Sequence, residues 1–318
     1  MQSIYSRGKD MLAKSTLAPV SLKPETPTPD PLTPNTATPT SLSAASKLYD
    51  ASQKIAFSCL LIAQAFFVSY LIAGYGFTGM TVGVSQWNRF NSTAYVSGDS
   101  LGNGMYAAHV LLAIVMIIGG SLQLIPAIRR NYKTFHKYNG RLFVTLACSI
   151  SLAGMYLLLS RGTVGNPLLH GLTAFSGVMV IVSSFFAIRA IRNANVTLHQ
   201  RWALHLFLAA NGVLFFRLFI FAWMTLFGTL GINTADFTGP AVISVSVLSY
   251  VAPHIIAQLI WVVKVTATDR ATGSAAGNTN RVSLLKNLIS VTLLVVSAVF
   301  IIGLFGLTLG SWYPAVVA

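Results

Sequence analysis

Seven stretches of nearly unbroken apolar sequence decide what this chain can fold into, each close to the roughly 20 residues that cross a bilayer as a helix. They lie near 55–77, 105–127, 142–160, 167–190, 203–227, 241–265 and 285–309. Inside hydrocarbon every backbone N–H and C=O must be paired within the segment, so runs of this length are helices. Composition closes the soluble alternative. Hydrophobic residues make up 54% of the 318 and charged ones 9%, against a soluble norm of about 25% charged. Too little polar surface remains to cover a water-facing globule. The sequence predicts an all-α membrane protein, a seven-transmembrane helix bundle.

A formal net charge of +14 raises the question of nucleic acid, and the location of the bases answers it. No basic stripe interleaved with stacking aromatics occurs, so no nucleic-acid partner is expected. The bases gather instead in alternate loops. Eighteen fall on one side: Arg7, Lys9, Lys14, Lys23, Lys47 and Lys54 in the N-terminal tail, Arg129 to Arg141 after span 2, Arg189 to Arg201 after span 4, and Lys264 to Lys286 after span 6. The opposite side has only Arg89 and Arg161. By the positive-inside rule the N-terminus is cytoplasmic and the C-terminus outside. The expected organisation is a cytoplasmic tail over 1–54, a seven-helix domain over 55–309 and a short outer tail over 310–318. The lipid bilayer is the first partner, in a bacterial inner membrane or a eukaryotic membrane.

The tail holds the Pro/Thr-rich run KPETPTPDPLTPNTATPTS, which has nothing with which to build a core and is expected to be disordered. Its first residues lack the apolar core of a cleavable signal peptide. Cys59 and Cys148 fall in apolar runs with no metal or redox spacing, so they behave as small hydrophobes. The first outer loop, near 78–104, carries Trp87, Phe90 and Tyr95, expected at the interface as an aromatic belt.

No Asp or Glu falls within a predicted span, which counts against carboxylate-driven pumps and di-iron carboxylate enzymes. Histidines, amides and one arginine remain. His109 in span 2 and His170 in span 4 lie at matched depth, roughly 5 Å inside the outer ends at about 1.5 Å per residue. Two facing neutral imidazoles suit axial ligation of haem iron in haem b. Small residues beside them (Ala113, Gly120, Ala174, Gly177) leave room for a macrocycle or serve plain helix packing. On the cytoplasmic side His136 and His199 form a second candidate pair, with His205 nearby and Gln123 on the His109 face. Tyr250, His254 and Gln258 make a polar stripe in span 6, read either as facing a quinone or substrate, or as interhelical bonding around Pro253. Arg217 in span 5 has no acidic partner in the sequence. It is expected to face a cavity, carbonyls or a bound anion such as a haem propionate, a quinone oxygen or a lipid phosphate. Walker, Rossmann and Gly-x-Ser-x-Gly patterns are missing.

The order His109, Gln123, Arg129-Arg130, His136, Gly140-Arg141, His170, His199-x-Arg201-Trp202 and Arg217 resembles a family of bacterial multi-pass membrane proteins known as a domain of unknown function, DUF2306, over about 105–227. The resemblance implies the topology and the choice of site residues but no activity. It has one departure: the position of His205 is usually basic in that family, often arginine, which leaves His136 and His199 as the inner ligand candidates. The histidine layout is loosely similar to that of cytochrome b561-type proteins.

The leading expectation is a haem b protein moving electrons through spans 2 to 5, with a quinone or other small redox partner. The alternatives are a non-redox accessory protein, sensor or small-molecule permease, and a cofactor-free membrane enzyme using histidine on a lipid-like substrate. The sequence leaves open whether the chain is an enzyme.

Overall fold

The computed structural model describes residues 39–162, 165–271 and 279–309. Nine helices carry the architecture: α1 Pro39–Tyr70, α2 Ser100–Leu124, α3 Lys133–Arg161, α4 Pro167–Arg192, α5 Val196–Ala210, α6 Gly212–Phe227, α7 Pro240–Tyr250, α8 Ala252–Ala271 and α9 Thr279–Leu307. Among the described residues there is no β-strand, only one isolated bridge between Asn233 and Thr238. Six stretches are long and apolar enough to cross a membrane on their own. The pair α5 and α6, bent by 53°, makes a seventh crossing if taken as one span. With that pair counted once, the helices match the seven apolar runs of the sequence.

Their ends are set by local chemistry. Asp99, Asn166 and Asn195 cap α2, α4 and α5, each accepting a backbone N–H three residues on at 2.8–2.9 Å, which satisfies donors that a helix start leaves unpaired. Gly162 and Gly228 end α3 and α6 with φ of 69° and 61°, a conformation glycine adopts without a side-chain clash.

The spans pack in chain order, α1 on α2, α2 on α3, α3 on α4 and α4 on α5, and α9 closes the ring against both α1 and α6. Glycines permit the closest approaches. Gly303 and Gly306 of α9 lie directly on the Leu218 and Phe221 carbonyls of α6, and Gly120 of α2 accepts the Phe143 ring of α3. Large apolar side chains such as Ile62, Leu159, Phe185, Leu288 and Ile301 face outward. A water-soluble bundle would bury these, whereas lipid accepts them.

Two features differ from the sequence expectation. Helix α1 begins at Pro39, well before residue 55, so the predicted tail includes helix. Ala45 and Tyr49 are buried there. Lys286 of α9 donates to Ser46 Oγ at 2.9 Å and sits over the Tyr49 ring. The stretch SLSAASKLYDASQK contains no glycine or proline, so a packed helix forms in spite of its polarity. Residues 1–38 of the tail and 310–318 lie outside the described residues. The second difference is Trp87, which is 2% exposed rather than interfacial. It donates Nε1–H to the Tyr75 carbonyl at 2.9 Å and packs edge-on to the Tyr75 ring, while Phe90 lies against Gly74. The loop therefore folds inward as a cap on one end of the bundle. The Pro126–Asn131 helix and its arginines mark the other, basic end.

Candidate functional site

Span 5 breaks at Asn211. An asparagine followed by glycine is a weak helix former, and Gly212 is needed at this point: a Cβ there would sit 2.8 Å from the Tyr250 ring and 2.9 Å from Ser176 Oγ. Neighbouring spans satisfy the polar groups at the break. Gln64 of α1 donates to Asn211 Oδ1 at 2.8 Å, and Asn211 Nδ2 returns a hydrogen bond to the Phe207 carbonyl. Ser121 of α2 donates to Gln64 Oε1, and Ser176 of α4 to the Ala209 carbonyl at 2.7 Å. Interrupted backbone at membrane depth is tolerated where it is buried in protein or lines a cavity. Here it does the second as well.

A cavity of about 340 Å³ runs between α1, α2, α3, α4, α5 and α6 from the capping loop to Asn211. Most of its wall is apolar. Its polar lining includes Tyr75, Tyr106, His109, Arg161, Thr173, Ser176, Asn211 and Arg217. Tyr75 reaches it from a π-helical turn, Leu71–Phe77, a distortion found mostly at functional sites. Among the described residues no carboxylate lines the cavity.

The two arginines on its wall differ in their partners. Arg161, whose side chain is 6% exposed, donates to Asp99 Oδ2 at 2.7 Å, to the Thr93 and Ala94 carbonyls, and to Asn103 Oδ1. It binds the loop to the ends of α2 and α3, and Asp99 balances its charge. The guanidinium beside Asp99, aided by the Gly102 N–H, holds the carboxyl below its ordinary range. Arg217 has neither an ion pair nor a hydrogen bond among the described residues. Its guanidinium lies 5.6 Å from the Phe67 ring centroid and 5.9 Å from that of Tyr70, a cation–π arrangement that leaves its N–H donors without acceptors.

His109 lines this cavity and also an apolar groove of about 400 Å³ between α2 and α3. Its Nδ1 lies 3.0 Å from the Ile150 carbonyl. A carbonyl only accepts, so the proton is on Nδ1 and Nε2 keeps its lone pair. Gly154 allows the ring to fit, since a Cβ there would meet Cε1 at 2.9 Å.

The other expected site residues are distributed as follows. Thr173, Ala174 and Gly177 of α4 line the cavity, but His170 on the same helix is not among its lining residues. His136 and His199 meet at the basic end within electrostatic reach of each other and of Arg129. His199 Nδ1 bonds the Ala187 carbonyl, and Gln123 donates to the His136 carbonyl. His205, His254 and Gln258 join in one network with Arg201, and Tyr250 approaches Thr173 at 3.5 Å. Among the described residues no group of three or more His, Cys, Asp or Glu is placed to hold a metal ion. Sequence reasoning missed Gln64, Asn211, Tyr75 and the Asp99–Arg161 tie. The one visible signal was Asn211-Gly212 in the middle of an apolar run.

Fold and site together define a polytopic α-helical membrane protein with a broken fifth span beside an internal cavity. Residues 106–261, a little under half of the chain, match the family described as Predicted membrane protein (DUF2306). The match extends past span 5 and takes in the whole His205, His254, Gln258 and Arg201 network, while α1 and α9 lie outside it. No curated protein and no solved structure matches the chain.

Proposed function

We propose that the cavity holds a small, largely apolar molecule through one anionic group seated on Arg217, and that the protein is a permease for such molecules. The supporting observation is Arg217 itself: a cation on a cavity wall with no ion pair and no hydrogen bond among the described residues. A charge in such a place costs several kcal/mol unless it is paired, and a carboxylate or phosphate matches the guanidinium fork. Discontinuous helices beside a binding cavity near the middle of the bundle are a common construction in transporters. The base asymmetry supports a cytoplasmic basic end, which places the capped cavity in the outer half. The apolar groove beside His109 supports lateral access from lipid.

The test compares head groups on one chain length. With protein in lipid nanodiscs, octanoate is expected to raise the unfolding temperature, and octanol and octylamine are not. A ligand at about 100 times its Kd adds about 2.7 kcal/mol. Arg217→Gln is expected to remove the octanoate effect. Equal shifts from all three compounds, or an undiminished shift in the variant, would refute the reading.

Haem b is the second reading. It is favoured by the His109 tautomer, whose Nε2 lone pair is oriented by an Nδ1–H bond to a carbonyl, as iron-ligating imidazoles usually are. His109 and His170 would be the axial pair, His136 and His199 the inner one, and Arg217 the partner of a propionate or quinone oxygen. It ranks second because His109 is the one histidine on the cavity wall. A visible spectrum before and after dithionite decides it: sharp reduced α and β bands lost in His109→Ala support haem, and a colourless protein expressed with added haem rejects it.

A further inference from the structure

The network of Arg201, Gln258, His205 and His254 joins α5 to α8, and its hydrogen bonds fix every proton in it. Arg201 has only donors, and its Nη2 lies 2.9 Å from Gln258 Oε1. That sets the orientation of the amide, so the Gln258 Nε2–H₂ end faces His205. Gln258 Nε2 lies 2.8 Å from His205 Nε2, which must therefore accept and carry no proton. The neutral His205 ring then has its proton on Nδ1. His205 Nδ1 lies 2.8 Å from His254 Nδ1, so His254 accepts there and keeps its own proton on Nε2. The two rings lie nearly parallel, with centroids 5.1 Å apart and planes inclined by 12°. Every imidazole lone pair in the network is used, and both rings are neutral.

This arrangement has no place for another proton. A proton arriving at His254 Nδ1 would face the His205 Nδ1–H, donor against donor. At His205 Nε2 it would face the Gln258 amide donors, and turning that amide would point the same donors at Arg201. At His254 Nδ1 the inter-ring bond between α5 and α8 is lost; at His205 Nε2 only the Gln258 bond is lost, and His205 Nδ1 still donates to His254. The charged group within electrostatic reach of the pair is Arg201 on α5. Lys264 lies farther along α8 and donates to Gln200. The Phe175 ring of α4 meets His254 edge-on, and the Trp202 ring of α5 lies beside His205. Tyr250 of α7 precedes His254 by about one helical turn, and Arg217 of α6 acts electrostatically on Tyr250. Helix α5 carries no acid and α8 none before Asp269, so an added positive charge finds no counter-ion in the tie.

The position gives this sensitivity a consequence. Helix α5 is the basic-end part of the fifth span, which breaks at Asn211, and α8 follows α7 past Val251 within one crossing, Pro240–Thr266. The network links the basic-end part of one span to the basic-end part of the other. Elsewhere the same protein ties α1 to the break with Gln64 and Asn211, a pair that cannot titrate. A purely structural tie between α5 and α8 has no need of two imidazoles.

We propose that the His205–His254 pair is a proton-binding site whose inter-ring hydrogen bond ties α5 to α8 when empty, and that the tie loosens when the site is filled. One proton enters from the basic-end aqueous phase and adds to His254 Nδ1, the inter-ring hydrogen bond is lost, and the reverse step restores it. The proposal concerns the protein's own side chains and stands whether or not the cavity takes an anion.

Full-length protein with ¹⁵N-histidine in nanodiscs tests it by solid-state NMR. At neutral pH a ¹⁵N–¹⁵N coupling is expected across Nδ1–H···Nδ1, with His205 protonated at Nδ1 and His254 at Nε2. Acidification is expected to abolish the coupling and change both rings in one step. His254→Gln is expected to leave the remaining histidine signals in place, which shows that the variant is folded. Spin labels at Gln200→Cys and Val262→Cys, with Cys59 and Cys148 replaced by alanine, report the distance between α5 and α8. It is expected to change on acidification in the parent and to stay fixed with His254→Gln. Absence of the coupling at neutral pH, its persistence in acid, or an unchanged distance would each overturn the proposal.

Discussion

Arg161 and Arg217 are the same side chain in opposite circumstances, and the contrast decides what each can do. Arg161 has acceptors all round: a carboxylate, two carbonyls and an amide oxygen. Arg161→Ala is expected to leave the Thr93 and Ala94 carbonyls without that donor, at about 1–3 kcal/mol for each one left unsatisfied. Hydrogen exchange over residues 84–99 is expected to rise in that variant. The tie also sets a pH dependence. The Asp99 carboxyl is held low in the folded state, so its stabilisation is present above the ordinary carboxylate pKa of about 3.9. It is lost as pH falls below that value and through the lower folded one. Loop protection is expected to be flat from pH 8 to 5 and to fall below pH 4, and Asp99→Asn is expected to be low throughout. A parent loop equally protected at pH 3 would mean that something else holds it. Arg217 stood out in the sequence because a cation in an apolar run is conspicuous. The Asp99–Arg161 pair was not legible, since its members are 62 residues apart and each looks like an ordinary loop charge.

At the scale of elements, the broken fifth span is the least legible feature. The sequence reads 203–227 as one apolar run, whereas the chain forms two helices bent by 53°. Whether a buried asparagine ends a helix depends on what pairs with it, and that partner, Gln64, lies 147 residues away. Hydropathy does not encode such a pairing, whereas the helices themselves follow from length and apolarity. Asn211→Leu is expected to destabilise by about 1–3 kcal/mol through the unpaired Gln64 amide. Adding Gln64→Leu is expected to recover part of that loss, a coupling that a double-mutant cycle in thermal unfolding measures. Additive losses would show that the amides do not act as a pair. Gly212→Ala is expected to cost about 1–3 kcal/mol by overpacking against Tyr250.

At the scale of the molecule, the bent pair counted as one span gives seven crossings, for which the distribution of bases predicts a cytoplasmic N-terminus and an outer C-terminus. In a background with Cys59 and Cys148 replaced by alanine, a membrane-impermeant maleimide is expected to label Ser97→Cys on intact cells. Asn131→Cys is expected to react only after permeabilisation, and the reverse pattern would invert the topology. The helix bundle and a family resemblance over about 105–227 were readable from the chain, whereas the family match runs on to residue 261. The cavity was not readable, because it exists only where six helices meet at a break.

Native mass spectrometry of the protein with added octanoate tests the central claim most directly, because it counts ligands on the intact chain. The account expects one octanoate on the parent, none on Arg217→Gln and partial occupancy on Arg217→Lys, which keeps the charge but not the fork. Equal octanoate adducts on the parent and on Arg217→Gln would contradict it.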